Sequence, residues 1–278
     1  MLKLPSWTIA GVVLMTASVG FAQTASQNKT EDLMAALRMP EMLQIMREEG
    51  LGYADQIAND MFPGRASGQW SAMVSEIYDV DVMYEEIYAA MSEQLDGDDV
   101  DAMIAFYEAE PGRTIVSLEV SAREALLDEA VEEASKEDAA IAAADETSRF
   151  QMVSEFVEAN DLVEVNVVGA LNANYAFYLG LMDGGAMPSE MTPDMALQDV
   201  WSQEGEIRQN TEEWVYSFLL MAYDPLPDED LEALITFSRT EAGQDMNNAL
   251  MIAFNGMFDD ISRALGLASS RMMTSQEL

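Results

Sequence analysis

The stretch from Trp70 to Gly112 recurs, without a gap, from Trp201 to Gly243. Trp70-Ser71 matches Trp201-Ser202, Leu95 and Asp99 match Leu226 and Asp230, and Ala102, Ile104, Phe106, Glu110 and Gly112 match Ala233, Ile235, Phe237, Glu241 and Gly243. Val100 and Met103 become Leu231 and Leu234, so apolar character is kept where a helix would bury it. Shared periodicity would align apolar residues with one another, but not Trp with Trp and Gly with Gly, so the pattern implies a tandem duplication. Upstream, Met39-Pro40-Glu41-Met42 aligns more loosely with Leu162-Val163-Glu164-Val165, provided the second copy carries a loop insertion near Gly184 to Pro193.

Few stretches alternate with period two, whereas apolar spacings of three and four run along the whole chain, which predicts an all-α fold. Trp70, Met73, Ile77, Val80, Tyr84, Ile87, Met91 and Leu95 form one stripe and predict one long amphipathic helix. Asp98 and Asp99 suit the free N–H groups at the start of a second helix, whose buried face is Val100, Met103, Ile104 and Tyr107. Pro111-Gly112 interrupts the rhythm, and a third helix follows through Ile115, Leu118, Ala122, Leu126 and Ala130. Phe106 and Phe237 are placed to plug the gap between adjoining helices, and Gly112 and Gly243 to permit positive φ or close helix approach. The Ala- and Glu-rich stretch from Ser135 to Ser148 reads as a charged helical connection between the two copies.

The unit that runs Asp98-Asp99-Val100, Phe106-Tyr107, Gly112, and again Glu229-Asp230-Leu231, Phe237, Gly243, resembles the bacterial domain of unknown function 2059 family. That family's pattern has Ser or Thr two residues after a Phe-Tyr pair; Thr240 keeps it, Ala109 does not, and Ser238 replaces the Tyr. The resemblance covers most of the chain as two copies. It implies an exported helical protein and supplies no activity.

Composition closes several chemistries. There is no Cys, so no disulfide, thiolate nucleophile, Cys-type zinc site or iron–sulfur cluster can form. There is no His, which removes the commonest general base and transition-metal ligand. With 51 acidic against 13 basic residues and a formal charge of -38, the chain repels phosphate backbones, and no nucleic-acid partner is expected. An apolar share of 49% nevertheless suits a packed core beneath that acidic coat.

Lys3, the apolar run from Trp7 to Val19, and the small residues Gly20 and Ala22 together read as a signal peptide at residues 1–22, cleaved before Gln23. The run is short for a membrane span, so the product is expected to be periplasmic and not membrane-embedded. The remaining chain divides into a first helical repeat at 31–140, a second at 147–267 and a polar tail at 268–278.

Four constellations bear on chemistry. Asp96-Gly97-Asp98-Asp99-Val100-Asp101 resembles a calcium loop, but Asp101 and Tyr107 stand where an EF-hand needs Gly and Glu. Met39, Met42 and Met46 share a helix face, and Met182, Met187, Met191 and Met195 punctuate a Gly- and Pro-containing segment; thioethers suit Cu(I), and they also fill helical cores and adaptable grooves. The acidic pairs Glu85-Glu86, Glu132-Glu133 and Glu212-Glu213 point about 100° apart on a helix and do not converge on one substrate atom. Gly64-Arg65-Ala66-Ser67-Gly68 misses the nucleophile-elbow spacing by one position and has no accompanying base. No catalytic, cofactor-binding or metal-ligating residue is therefore assigned, and no cofactor is expected. The reading is an all-α, two-repeat, non-enzymatic envelope accessory or partner-binding module that would use apolar, Met-rich inter-helix surfaces. A Cu(I) or divalent-cation binding protein and an enzyme using carboxylates are the alternatives.

Overall fold

The structure, a computed structural model, describes residues 29–64, 68–95 and 100–274. The expected signal peptide and the helix start expected at Asp98-Asp99 lie outside the described residues, as do Asp96-Gly97 and Arg65-Ala66-Ser67. Among the described residues the fold is all-α, with no strand. In chain order the helices are α1 (29–36), α2 (Met39–Met61), α3 (Gly68–Ile77), α4 (Val80–Gln94), α5 (Val100–Glu108), α6 (Gly112–Ala125) and α7 (Glu129–Ala144). They continue with α8 (Ser148–Ala159), α9 (Leu162–Asp183), α10 (Pro193–Ser202), α11 (Glu204–Tyr223), α12 (Asp228–Ser238) and α13 (Glu241–Thr274). None of these helices is long and apolar enough to cross a membrane.

The single helix expected from Trp70 to Leu95 is two. Asp79 stops it by capping α4, its carboxylate accepting from the N–H groups of Asp81 at 3.0 Å and Val82 at 3.1 Å. Likewise the third helix ends at Ala125, and Ala130 belongs to α7, which Asp128 caps through the Ala130 N–H at 2.9 Å. The connection expected over Ser135–Ser148 is helical only to Ala144, where Glu146 turns left-handed at φ 48° and Thr147 caps α8. The loop expected near Gly184 to Pro193 is present between α9 and α10.

Several features recur at matched places. Arg38 and Asp161, each at φ 51°, sit left-handed before the long helices α2 and α9, which have 23 and 22 residues. Leu95 and Leu226, Val100 and Leu231, and Met103 and Leu234 are all buried. Neither Gly112 nor Gly243 has positive φ; instead each lies against the carbonyl oxygen of Phe106 or Phe237, where any Cβ would overlap backbone. Register is lost upstream of Leu95: Trp70 is buried at 1% exposure, whereas Trp201 is 57% exposed at the end of α10. The reason lies in α11, which has 20 residues where α4 has 15, so the gapless alignment through Trp201 does not follow the helices.

The halves share their cores. Met246, Ala249, Ala253, Met257, Ile261, Leu265, Ala268 and Met272 form one stripe of α13 that packs into the core built from α1 to α5 with Val116 and Val120 of α6. In return Ile115 and Ala122 of α6 enter the core made by α8, α11 and α12. The segment read as a polar tail at 268–278 is helix to Thr274, with Ala268, Ser269 and Ser270 buried. α13 runs parallel to α9, and Gly180 and Gly266 let the two backbones touch: a Cβ on either would overlap the carbonyl oxygen of Arg263 or Phe177. Phe106 and Phe237 do more than plug a gap within one half; they stack on each other across the molecule, with centroids 4.1 Å apart and planes within 5°.

Candidate binding site

A cavity of about 570 Å³ opens where α2, α9, α11 and α13 meet, a volume typical of sites for small molecules. Its existence follows from α9. Gly169, Ala170 and Ala173 form the α9 wall, and such short side chains cannot fill the space opposite. Facing them, α11 presents Trp214 and Phe218, stacked with centroids 5.3 Å apart, together with Val215 and Leu219. α13 contributes Met251, Phe254, Phe258, Ile261 and Leu265, and α2 contributes Met46. Aromatic and aliphatic carbon thus dominates the lining.

Tyr78 reaches the cavity because α3 stops just before it. The Arg47 guanidinium donates to the Ser75 carbonyl at 3.0 Å and to the Tyr78 carbonyl, fixing the turn, while the Tyr78 ring lies directly on Gly50, where a Cβ would overlap it. Burial pushes the Tyr78 hydroxyl well above its ordinary range, reinforced by Tyr53 and by the negative charge of Glu49. Burial likewise raises Tyr53. Both phenols are consequently neutral hydrogen-bonding groups.

The charged groups of the lining neutralise each other. Arg123 Nε donates to Glu49 Oε1 at 2.8 Å and Nη2 donates to Glu49 Oε2 at 2.7 Å, a two-pronged pair joining α6 to α2. The Arg123 guanidinium carbon also lies 5.6 Å from the Trp214 ring centroid. Asn166, Asn174, Asn255 and Ser262 supply the remaining polar atoms, and Asn166 Nδ2 donates to the Leu162 carbonyl at 2.7 Å.

A second polar cluster lies between the two cores. Tyr223 donates to Glu119 Oε1 at 2.5 Å, and burial lifts the Glu119 carboxyl to about 7 despite that hydrogen bond. The ionised Glu119 in turn raises the hydroxyls of Tyr107 and Tyr223, both already raised by burial.

The residues singled out in the sequence are scattered. Met39 and Met46 are buried in the first core and Met42 packs against it. Met182, Met187 and Met191 are half-buried, while Met195 is 48% exposed on α10 beside the exposed Leu197 and Trp201. Among the acidic pairs, Glu132 and Glu133 both meet Lys136, at 2.9 and 3.5 Å. Glu86 is raised by burial and by Asp260 across on α13, to which it is hydrogen-bonded. Among the described residues no group of three or more carboxylates could hold a metal ion. Sequence reasoning missed the cavity; the one local signal is the cluster of small residues at Gly169, Ala170 and Ala173 in the middle of a long helix. Compared with protein-family models, curated proteins and solved structures, the chain finds no match in any of the three.

Proposed function

We propose that the protein is an exported, non-enzymatic binding module of the periplasm that holds an apolar small molecule in the cavity between α2, α9, α11 and α13. One observation carries this reading: a half-open, aromatic-rich cavity whose charged groups pair with one another and whose other polar groups are neutral. Titration with the neutral, environment-sensitive dye N-phenylnaphthylamine tests it. Saturable binding at one site is expected, and Ala173→Trp, which fills the space from the α9 wall, is expected to abolish it. Unchanged binding to a folded Ala173→Trp protein would reject the cavity as the site.

The cavity also fits a duplicated origin, which we propose on the paired left-handed residues Arg38 and Asp161 and on the stacked Phe106 and Phe237. Equivalent residues that contact each other lie on a two-fold axis, as in a symmetric dimer. The space lies between the two copies, with walls from both, and a single copy would have no such site.

An envelope protein partner is the second reading, supported by Met195, Leu197 and Trp201, which are 48%, 39% and 57% exposed on α10. Affinity capture from periplasmic extract tests it: a partner retained by the native protein and lost on Trp201→Ala supports it, and an identical capture profile rejects it.

A further inference from the structure

The cavity carries a charge arrangement that specifies its ligand. Among the described residues that line it, Arg123 is the one cation and Glu49 the one carboxylate, and they face each other through two hydrogen bonds of 2.8 and 2.7 Å. An anionic headgroup reaching this wall would have to take Arg123 away from Glu49. The freed carboxylate would then stand beside the incoming charge in a partly desolvated site, with its side chain only 34% exposed. The surrounding chain, at a formal charge of -38, adds a long-range field opposing any anion. A cationic headgroup would be drawn to that surface but would meet the guanidinium at the same wall. A ligand without net charge meets neither penalty, and it gains the aromatic faces of Trp214 and Phe218 and neutral hydrogen-bonding partners at Asn166, Asn174 and Asn255.

We propose that the Glu49–Arg123 pair acts as a charge filter: the cavity selects apolar molecules with no net charge, and Glu49 excludes anionic amphiphiles by occupying the one cation that could bind them. This rests on the reading of the cavity as a ligand site and adds to it a ligand class and a specificity-determining residue, Glu49.

N-phenylnaphthylamine and anilinonaphthalene sulfonate test it, because they share one ring skeleton and differ by a sulfonate. The native protein is expected to bind the neutral dye at least about tenfold more tightly than the sulfonate. In Glu49→Gln the amide keeps a hydrogen bond to Arg123 but no longer cancels its charge. There the affinity for the sulfonate relative to the neutral dye is expected to rise about tenfold or more. Equal affinities in the native protein would overturn the proposal without recourse to any variant. An unchanged ratio in a Glu49→Gln protein with native helical content would overturn it as well. If neither dye binds the native protein, the ligand-site reading itself has failed, an outcome distinct from loss of selectivity.

Discussion

Replacing Glu119 with Gln probes the polar cluster between the two cores. The carboxyl is lifted from 4.5 to about 7, a difference worth at most about 3 kcal/mol between its neutral and ionised forms in the folded state. Some contact with solvent lowers this, so about 1–3 kcal/mol is expected. The sign follows from linkage. A carboxyl whose folded value is raised contributes its full stability below the unfolded value near 4.5, and that contribution is lost as pH rises through about 7. Gln keeps an acceptor for the Tyr223 hydroxyl, now 2.5 Å from Glu119 Oε1, and never ionises. Urea denaturation of both proteins at a series of pH values is the assay. At about pH 8 Glu119→Gln is expected to be the more stable by about 1–3 kcal/mol, and below about pH 4.5 the two are expected to converge to within about 0.5 kcal/mol. Because the other carboxylates are common to both proteins, their titration cancels in the difference. A difference that does not change with pH would refute the argument, since it would mean Glu119 ionises as readily folded as unfolded.

Other consequences follow from packing and charge. Gly112→Ala and Gly243→Ala each push a Cβ into a backbone carbonyl and are expected to cost about 1–3 kcal/mol in chemical denaturation; a neutral effect at both would show the turns can yield. Ile235→Asp, at a position 4% exposed, is expected to destabilise by several kcal/mol and by more than Ile104→Asp, whose site is half-buried; the reverse order in melting experiments would contradict the assigned faces. With 51 acidic and 13 basic residues the folded state repels itself, so the melting temperature is expected to rise between about 0.01 M and 0.5 M NaCl, as the Debye length falls from about 30 Å to below about 10 Å. A flat or falling profile would point to acids already compensated by bound cations.

Helix class and the interruption before Gly112 were legible because they are local: spacing of three and four betrays a buried face, and Pro111-Gly112 betrays an interruption. The break at Asp79 was not, because Ile77, Val80 and Tyr84 continue the same rhythm across it and hide the cap. Trp201 misled for a related reason. Its identity matches Trp70, but the longer α11 moves it along the chain and out of the core. The burial of Ser269 and Ser270 at the end of α13 was hidden by their polarity, since small hydroxyl residues that let helices approach closely look like surface in a sequence. The cavity was the least legible feature, for it takes one or a few residues from each of several distant helices, and its polar wall joins Glu49 to Arg123 only after α2 and α6 have packed.

A crystal structure of the protein with bound N-phenylnaphthylamine would show whether the cavity between α2, α9, α11 and α13 holds a ligand. Density for the dye is expected in the space bounded by Ala173, Trp214, Phe218 and Phe254, with the Glu49–Arg123 pair intact beside it. Dye seated on the surface of α10 instead, with this space collapsed or filled by side chains, would contradict it.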